Sequence, residues 1–499
     1  MTFRVLLVDD EGEFVSALAE RLHLRGIDAR IATSGSEALE KIATDQPQVI
    51  VLDVLMPGMG GLEVLQGIKK THPRLPVILI TGRGTWDGIQ GIRLGAYDCL
   101  AKPLKIEELM QVMSHAVNYP RAIRGTGARN GRVKTFSHLV QEVQAPGRCH
   151  QCGGCVAFCA ANYGALGLGD DGRPCYRDEE KCIACGICYS ICPEISELDA
   201  DTKKLVSWSD PMGRILGAAV ARAKNPEVRL RATDGGVVTA LLLDLFDRGR
   251  IDGAIVSRRV GPFQRQPWLA RSREGILAAA GFHFDTVPNL AHFSEEYSTY
   301  SPSLMELKDV AKKAHNRLAF VGTPCQINAL RRMEVLGVAP ADAVHIHFGL
   351  FCAGNFQFGP AERRHLENLG NFHWNDVCKV NLKEELMIHL RQGDIRSIPL
   401  DQLTFMKRQA CLFCGDFSAE YADISFGGLG APPGWTTIML RSAKGEECLA
   451  SALRESVELV SYWDSPGLSH DLTAKVLEWS DQKKQDASKH LQEQERRAV

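Results

Sequence analysis

Cys149-His150-Gln151-Cys152-Gly153-Gly154-Cys155-Val156-Ala157-Phe158-Cys159 and Cys182-Ile183-Ala184-Cys185-Gly186-Ile187-Cys188-Tyr189-Ser190-Ile191-Cys192-Pro193 share one spacing, C-x-x-C-x-x-C-x-x-x-C. Thiolates so spaced wrap a cubane iron–sulfur cluster, the fourth cysteine of each run reaching across to the other cluster. Zinc needs four ligands in two separated pairs, not two runs of four. The spacing predicts one 4Fe-4S cluster on Cys149, Cys152, Cys155 and Cys192 and another on Cys182, Cys185, Cys188 and Cys159. Gly153, Gly154 and Gly186 let the backbone fold close to the metal, and N–H groups exposed there tune its potential. Cys175 lies outside both runs.

The doubled run is similar to those of two-cluster bacterial ferredoxins, although Ala160 stands where the second run has Pro193. At 499 residues the chain is too long for one core, and about 150 residues per domain suggests three or four units. The expected division is 1–118, a linker 119–147, the ferredoxin-like insert 148–200, a large region 201–470 and a charged tail 471–499. A net charge of −2 argues against a nucleic-acid binder. Met1 to Asp9 reads as a buried strand, not a secretory signal, and no stretch approaches the roughly 18 apolar residues of a membrane span. A cytoplasmic protein is expected, in which 16 cysteines are metal ligands rather than disulfides.

Residues 3–117 alternate strand and helix: Arg4 to Val8, a helix from about Gly12 to Arg25, Val49 to Leu52, Val77 to Ile80, and helices near Trp86 to Leu94 and Ile106 to His115. That alternation predicts a doubly wound parallel sheet with functional residues beyond the carboxyl ends of its strands. Asp9, Asp10, Asp53, Thr81 and Lys102 fall there. Three converging carboxylates suit Mg2+, a hard cation that takes oxygen ligands. The stretch resembles response-regulator receiver domains, which are flavodoxin-like, in Val8-Asp9-Asp10-Glu11, Leu52-Asp53, Met56-Pro57-Gly58-Met59, Thr81-Gly82 and Lys102-Pro103. The resemblance implies Asp53 as phosphoacceptor, Asp9 and Asp10 as holders of Mg2+ beside it, Thr81 and Lys102 as phosphate sensors, and a histidine kinase as phosphodonor. Cys99 stands where the family has its switch aromatic, with Tyr97 two residues earlier. Phosphorylation either adjusts the redox part through added charge or is absent from a receiver used for docking.

The linker carries Arg121, Arg124, Arg129, Arg132 and Lys134 among glycines and reads as a mobile or partner-covered connector. From Leu205 to Trp463 helix and strand are mixed without a G-x-G-x-x-G motif. Thr233-Asp234-Gly235-Gly236-Val237-Val238-Thr239 leads into an apolar helix, whose N-terminus suits a pyrophosphate or is a plain cap. Phe320-Val321-Gly322-Thr323-Pro324-Cys325-Gln326 and His347-Phe348-Gly349-Leu350-Phe351-Cys352 read as strands running on to a cysteine. Cys411-Leu412-Phe413-Cys414 precedes Asp423-Ile424-Ser425-Phe426-Gly427-Gly428 and Gly434-Trp435-Thr436-Thr437. The four thiols are cluster ligands or buried core residues. Cys378, Cys448, His283, His292, His345 and His347 read as structural, and Lys483 to Arg497 as a solvated helix or frayed tail.

Together these stretches, from about Cys149 to Arg441, resemble the beta subunit of coenzyme F420-reducing hydrogenase and its wider hydrogenase/dehydrogenase beta-subunit family. The resemblance implies a mixed α/β domain binding FAD, with Thr233, Gly235, Gly236, Thr239, Thr323 and Gly434 at the flavin and a third 4Fe-4S cluster on Cys325, Cys352, Cys411 and Cys414. Gly428 stands where members often carry an acid. The expected protein is a multidomain α/β oxidoreductase subunit that exchanges hydride with reduced F420 or NAD(P)H and relays single electrons to a partner redox subunit of heterodisulfide-reductase, hydrogenase or formate-dehydrogenase type. Rival expectations are a redox-linked phosphorelay adaptor without turnover and a reductase acting directly on an organic substrate.

Overall fold

The computed structural model describes the chain except residues 1–2, 73–74, 82–95, 108, 111, 114–115, 118–133, 262–263, 282–302, 311–315, 357–358, 383–384, 461–471 and 499. The expected Trp86 to Leu94 helix, His283, His292 and most of the basic linker lie outside the described residues, as do the side chains of Cys99 and Cys378.

The first unit is a sheet of β1 (Arg4–Val8), β2 (Asp28–Ala32), β3 (Val49–Asp53), β4 (Val77–Thr81) and β5 (Asp98–Ala101), in the order β2-β1-β3-β4-β5. Every pairing is parallel. Alternate residues of the central strands enter different cores. Val5, Leu7, Val49, Val51, Ile78 and Ile80 pack on one face, and Leu6, Ile50, Leu52, Val77 and Leu79 on the other. A sheet buried on both faces needs continuous apolar strands with helices on each side, here α1 (Gly12–His23), α2 (Gly35–Thr44) and α3 (Gly61–Thr71) among the described helices. This is the doubly wound unit that the alternating pattern predicts.

The first cysteine run leads into α4 (Gly154–Asn162), and a hairpin of β6 (Leu166–Leu168) and β7 (Pro174–Tyr176) separates it from the second. The large sheet contains β8 (Gly217–Ala223), β9 (Gly253–Gly261), β10 (Gln264–Ala270), β11 (Leu318–Gly322), β12 (Val344–Leu350), β16 (Ile424–Gly427), β17 (Thr436–Leu440) and β18 (Val457–Leu459). Its order is β10-β9-β11-β12-β16-β17-β8-β18. Between β12 and β16, the strands β13 (Val377–Leu382), β14 (Glu385–Leu390) and β15 (Ile395–Pro399) form a small antiparallel sheet with its own core. Three further helices matter for the site: α5 (Val237–Asp247), α6 (Pro324–Leu336) and α7 (Leu472–Ala498).

β9, β11, β12 and β16 run parallel. Because β17 is antiparallel to both β16 and β8, β8 shares their direction. The segments after β8, β11, β12 and β16 therefore gather at one carboxyl edge, where open α/β sheets place ligands.

Two expected boundaries differ from the structure. Phe136, Leu139 and Val143, assigned to the linker, are buried in one core with Val156, Phe158 and Ile187 of the cysteine segment and with Leu318, Phe320, Ile327 and Met333 of the large sheet and α6. The cysteine segment is therefore packed into the sheet rather than hung beside it. The tail is also docked: α7 runs from Leu472 to Ala498, and Val476 and Ser480 are fully buried. Its overall polarity hid a narrow stripe at helical spacing, Leu472, Val476, Ser480, Lys483 and Ala487, that faces the protein.

Candidate functional site

In the first unit, one ligand atom each of Asp9, Asp10 and Asp53 lies within 4.8 Å of the others. Lys102 Nζ reaches Asp9 Oδ2 at 3.0 Å and Asp53 Oδ1 at 3.3 Å. The strands explain the convergence. Asp9 follows β1, Asp53 and Thr81 end β3 and β4, and Lys102 follows β5 with its N–H on the Thr81 carbonyl at 2.8 Å. Burial pushes the Asp53 carboxyl up, an effect that Lys102 opposes and Asp9 adds to. Crowded, half-desolvated carboxylates of this kind fit a hard divalent cation. Burial pushes Tyr97 up, and the carboxylates of Asp98 and Asp342 add to this.

The eight cysteines of the two runs fall into two groups of four. Cys192 is crowded by Cys152 and Cys149, and Cys155 by Cys152 and Cys149. Cys159 is crowded by Cys182, and Cys188 by Cys185, Cys159 and Cys182. The fourth cysteine of each run thus lies beside thiols of the other run. Both runs use the same local device. Gly153 at φ 86° and Gly186 at φ 78° adopt left-handed backbone that favours glycine. This turn aims the Gly154 N–H at the Cys152 sulfur and the Ile187 N–H at the Cys185 sulfur. Cys175 sits apart on β7.

A third group forms at the carboxyl edge of the large sheet. Cys325 interacts with Cys414 and Cys352, and Cys414 with Cys352 and Cys411. Thr323 Oγ1 lies 3.3 Å from the Cys325 sulfur, and the Asn355 N–H donates to the Cys411 sulfur at 3.3 Å. Burial pushes the thiols of Cys325 and Cys352 up, that of Cys414 to about 11, and those of Cys152 and Cys185 to about 12. Buried thiols held in fours resist ionising alone, and a bound cationic metal centre reverses that logic. Soft sulfur donors in this number fit an iron–sulfur cluster.

The three groups are contiguous: Cys325 also senses Cys152, and Cys155 senses Cys188. α6 joins them, because it begins beside Cys325 and a Cβ on Gly154 would lie 2.9 Å from its Ala329. Arg332 of α6 is 1% exposed and donates to the carbonyls of Cys192, at 2.9 Å, and Ile195.

The six residues expected at a flavin lie at the same edge. Thr233, Gly235, Gly236 and Thr239 form the passage into α5, Thr323 the start of α6, and Gly434 the approach to β17. The Gly235 N–H is taken by Thr436 Oγ1 at 3.0 Å, and a Cβ there would lie 2.7 Å from the Ala221 carbonyl. Gly235 thus holds the turn in place.

The polar groups around the third cysteine group carry no motif. Lys483, Lys407 and Asp416 all interact with it. His347 is a core residue, with Nδ1 at 3.1 Å from Asp423 and Nε2 at 2.9 Å from Glu334.

Profiles described as coenzyme F420 hydrogenase/dehydrogenase beta subunit, N-term and C terminus, match residues 218–294 and 315–462. Two 4Fe-4S binding domain profiles match 146–163 and 176–194, and the response regulator receiver domain matches 5–114. The coenzyme F420 hydrogenase subunit beta of Methanococcus voltae is 31% identical over 288 residues, 56% of this chain and 95% of that protein. The chain belongs to the coenzyme F420 hydrogenase/dehydrogenase beta-subunit family. This member joins the family's fold to a receiver domain, for which the response regulator MprA of Mycolicibacterium vanbaalenii is 36% identical over 140 residues, 28% of this chain and 60% of that protein. A solved structure, the F420-reducing NiFe hydrogenase complex from Methanosarcina barkeri, is 27% identical with a TM-score of 0.48, covering 57% of this chain and 94% of that one. Among the described residues no helix is long and apolar enough to cross a membrane.

Proposed function

We propose that this family member is an electron-transferring oxidoreductase subunit that binds FAD at the carboxyl edge of the large sheet and three 4Fe-4S clusters, on Cys325, Cys352, Cys411 and Cys414, on Cys149, Cys152, Cys155 and Cys192, and on Cys159, Cys182, Cys185 and Cys188. The observation that carries this reading is the contiguity of the three thiol groups, which lead from the sheet edge to the surface at Ile183, 50% exposed between Cys182 and Cys185. FAD, when bound, exchanges hydride with reduced F420 or NAD(P)H as a two-electron unit, and 4Fe-4S clusters carry the electrons singly.

The chain's own residues supply position and insulation. Gly235 and Gly236 set the opening turn of α5 toward the cofactor, Thr323 supports Cys325, and α6 holds the first two thiol groups in register. The surface around Ile183 is the place for a redox partner subunit of hydrogenase, heterodisulfide-reductase or formate-dehydrogenase type. In the receiver, Asp9, Asp10 and Asp53 would hold Mg2+, Lys102 would neutralise a phosphoryl group on Asp53, and the added charge would adjust docking or activity of the redox unit.

The test is an anaerobic preparation analysed for iron, acid-labile sulfide and extracted flavin, then mixed with reduced F420 or NADPH. Three clusters require ~12 iron per chain, with flavin present and bleaching by one donor. A colourless protein without flavin refutes the reading. Bleaching by neither donor refutes soluble hydride exchange.

A further inference from the structure

The C-terminal helix α7 places one ammonium group beside the third cysteine group, on the Cys352 carbonyl. Lys483 is 9% exposed, on the stripe of α7 that holds fully buried Val476 and Ser480. Its Nζ donates to the Cys352 carbonyl at 2.6 Å and to the Asp416 carbonyl at 2.7 Å. Among the described residues these hydrogen bonds go to carbonyl groups and to no carboxylate. The sulfurs of Cys414, Cys352 and Cys411 come ahead of the Asp416 carboxyl among its electrostatic neighbours.

The placement is fixed from several sides. Trp479, one turn before, packs on Phe417 at a ring distance of 5.6 Å, and Phe417 packs on Phe351, beside Cys352, at 5.5 Å. Lys484 pairs with Glu420 at 2.6 Å. Gln494, three turns on, donates to the Pro146 carbonyl at 2.6 Å. A buried ammonium is costly unless negative charge compensates it. Two carbonyl dipoles are weak compensation for a full charge.

We propose that Lys483 is a redox-setting residue, a fixed cation that raises the reduction potential of the cluster on Cys325, Cys352, Cys411 and Cys414. This rests on the third-cluster reading above. A 4Fe-4S cluster with four thiolates gains one negative charge on reduction, so a nearby cation in a water-poor site favours the reduced form. The helix read as a tail then decides how readily electrons enter the group nearest the sheet edge.

The test is a potentiometric titration of the anaerobic full-length protein followed by electron paramagnetic resonance, with the third cluster's signal assigned by its loss in Cys325→Ser. Lys483→Gln keeps a donor without charge, Lys483→Arg keeps the charge, and Lys484→Gln removes a neighbouring charge from the same helix. Lys483→Gln is expected to disfavour reduction of the third cluster at least tenfold, a shift of about 59 mV to lower potential. Lys483→Arg and Lys484→Gln stay near the wild type, and the other two clusters do not move. Loss of the third signal in Lys483→Gln but not in Lys483→Arg also requires the charge. Unchanged potential in a fully loaded Lys483→Gln protein overturns the proposal while leaving the third cluster intact, as does equal loss in both variants. A wild type holding only ~8 iron removes the third cluster itself.

Discussion

Arg332→Met tests whether α6 fastens the second cysteine run to the large sheet. Arg332 is fully buried, and its guanidinium donates to the carbonyls of Cys192 and Ile195 and to Asp199 and Asn328. Methionine keeps most of the length and apolar contact but none of the donors. Two short charge-assisted hydrogen bonds to buried carbonyls, at roughly 1.5–3 kcal/mol each, amount to about 3–6 kcal/mol. Relief of the guanidinium's own desolvation returns part of this, and the Cys192 carbonyl keeps the Ile195 N–H at 3.0 Å. A net loss on the order of 2 kcal/mol makes local opening around Cys192 roughly 30-fold more frequent, at about 1.36 kcal/mol per tenfold. The assay is anaerobic release of iron to a chelator, followed by loss of visible absorbance, because a multidomain cluster protein has no single two-state unfolding free energy. Release at least tenfold faster than wild type, with Arg332→Lys in between, is expected. Release within threefold of wild type refutes the clamp.

Other variants probe the remaining parts. Cys325→Ser is expected to lower bound iron by about four atoms per chain while the two-run clusters stay, since it touches only the third group; a loss of all iron would show that the groups do not fill independently. Gly235→Ala drives a Cβ toward the Ala221 carbonyl and is expected to reduce bound flavin severalfold with iron unchanged. In the receiver, Asp53→Asn removes the phosphoacceptor, so Mg2+-dependent labelling by acetyl phosphate should vanish, and labelling that persists refutes the assignment. The partly buried Glu334 carboxyl is held down to about 2, desolvation being outweighed by His347 and Arg331. A depressed carboxyl stabilises the fold above its unfolded value of 4.5, and that stability is lost as pH falls toward about 2. Glu334→Gln should therefore be less thermostable than wild type at pH 7, and a difference that does not narrow in acid would contradict the network.

Local pattern carried most of the fold of the receiver. Its central strands β1, β3 and β4 are nearly continuous apolar runs because both faces are covered, and Asp9, Asp53, Thr81 and Lys102 sit where strands end, so sequence order alone brings them to one edge. The two cysteine runs were legible for a similar reason, since ligands and turn glycines lie within a few residues of one another. The third group was harder. Cys325, Cys352 and the Cys411–Cys414 pair are spread over about ninety residues, and only the parallel order of β11, β12 and β16 makes them neighbours.

Sequence by itself determined which segments are strands, which thiols come in fours within a run, and which aspartates face a common edge, because these depend on contacts a few residues apart or on a regular strand–helix alternation. Tertiary structure decided that Phe136 to Val143 of the supposed linker and the tail helix are parts of the packed body, that Arg332 ties one cysteine run to α6, and that Lys483 sits on the Cys352 carbonyl beside the third cysteine group. A lysine on a polar helix looks solvated from its neighbours in the chain. What packs against that helix, and so whether the charge meets water or sulfur, is settled only when the whole chain has closed around it.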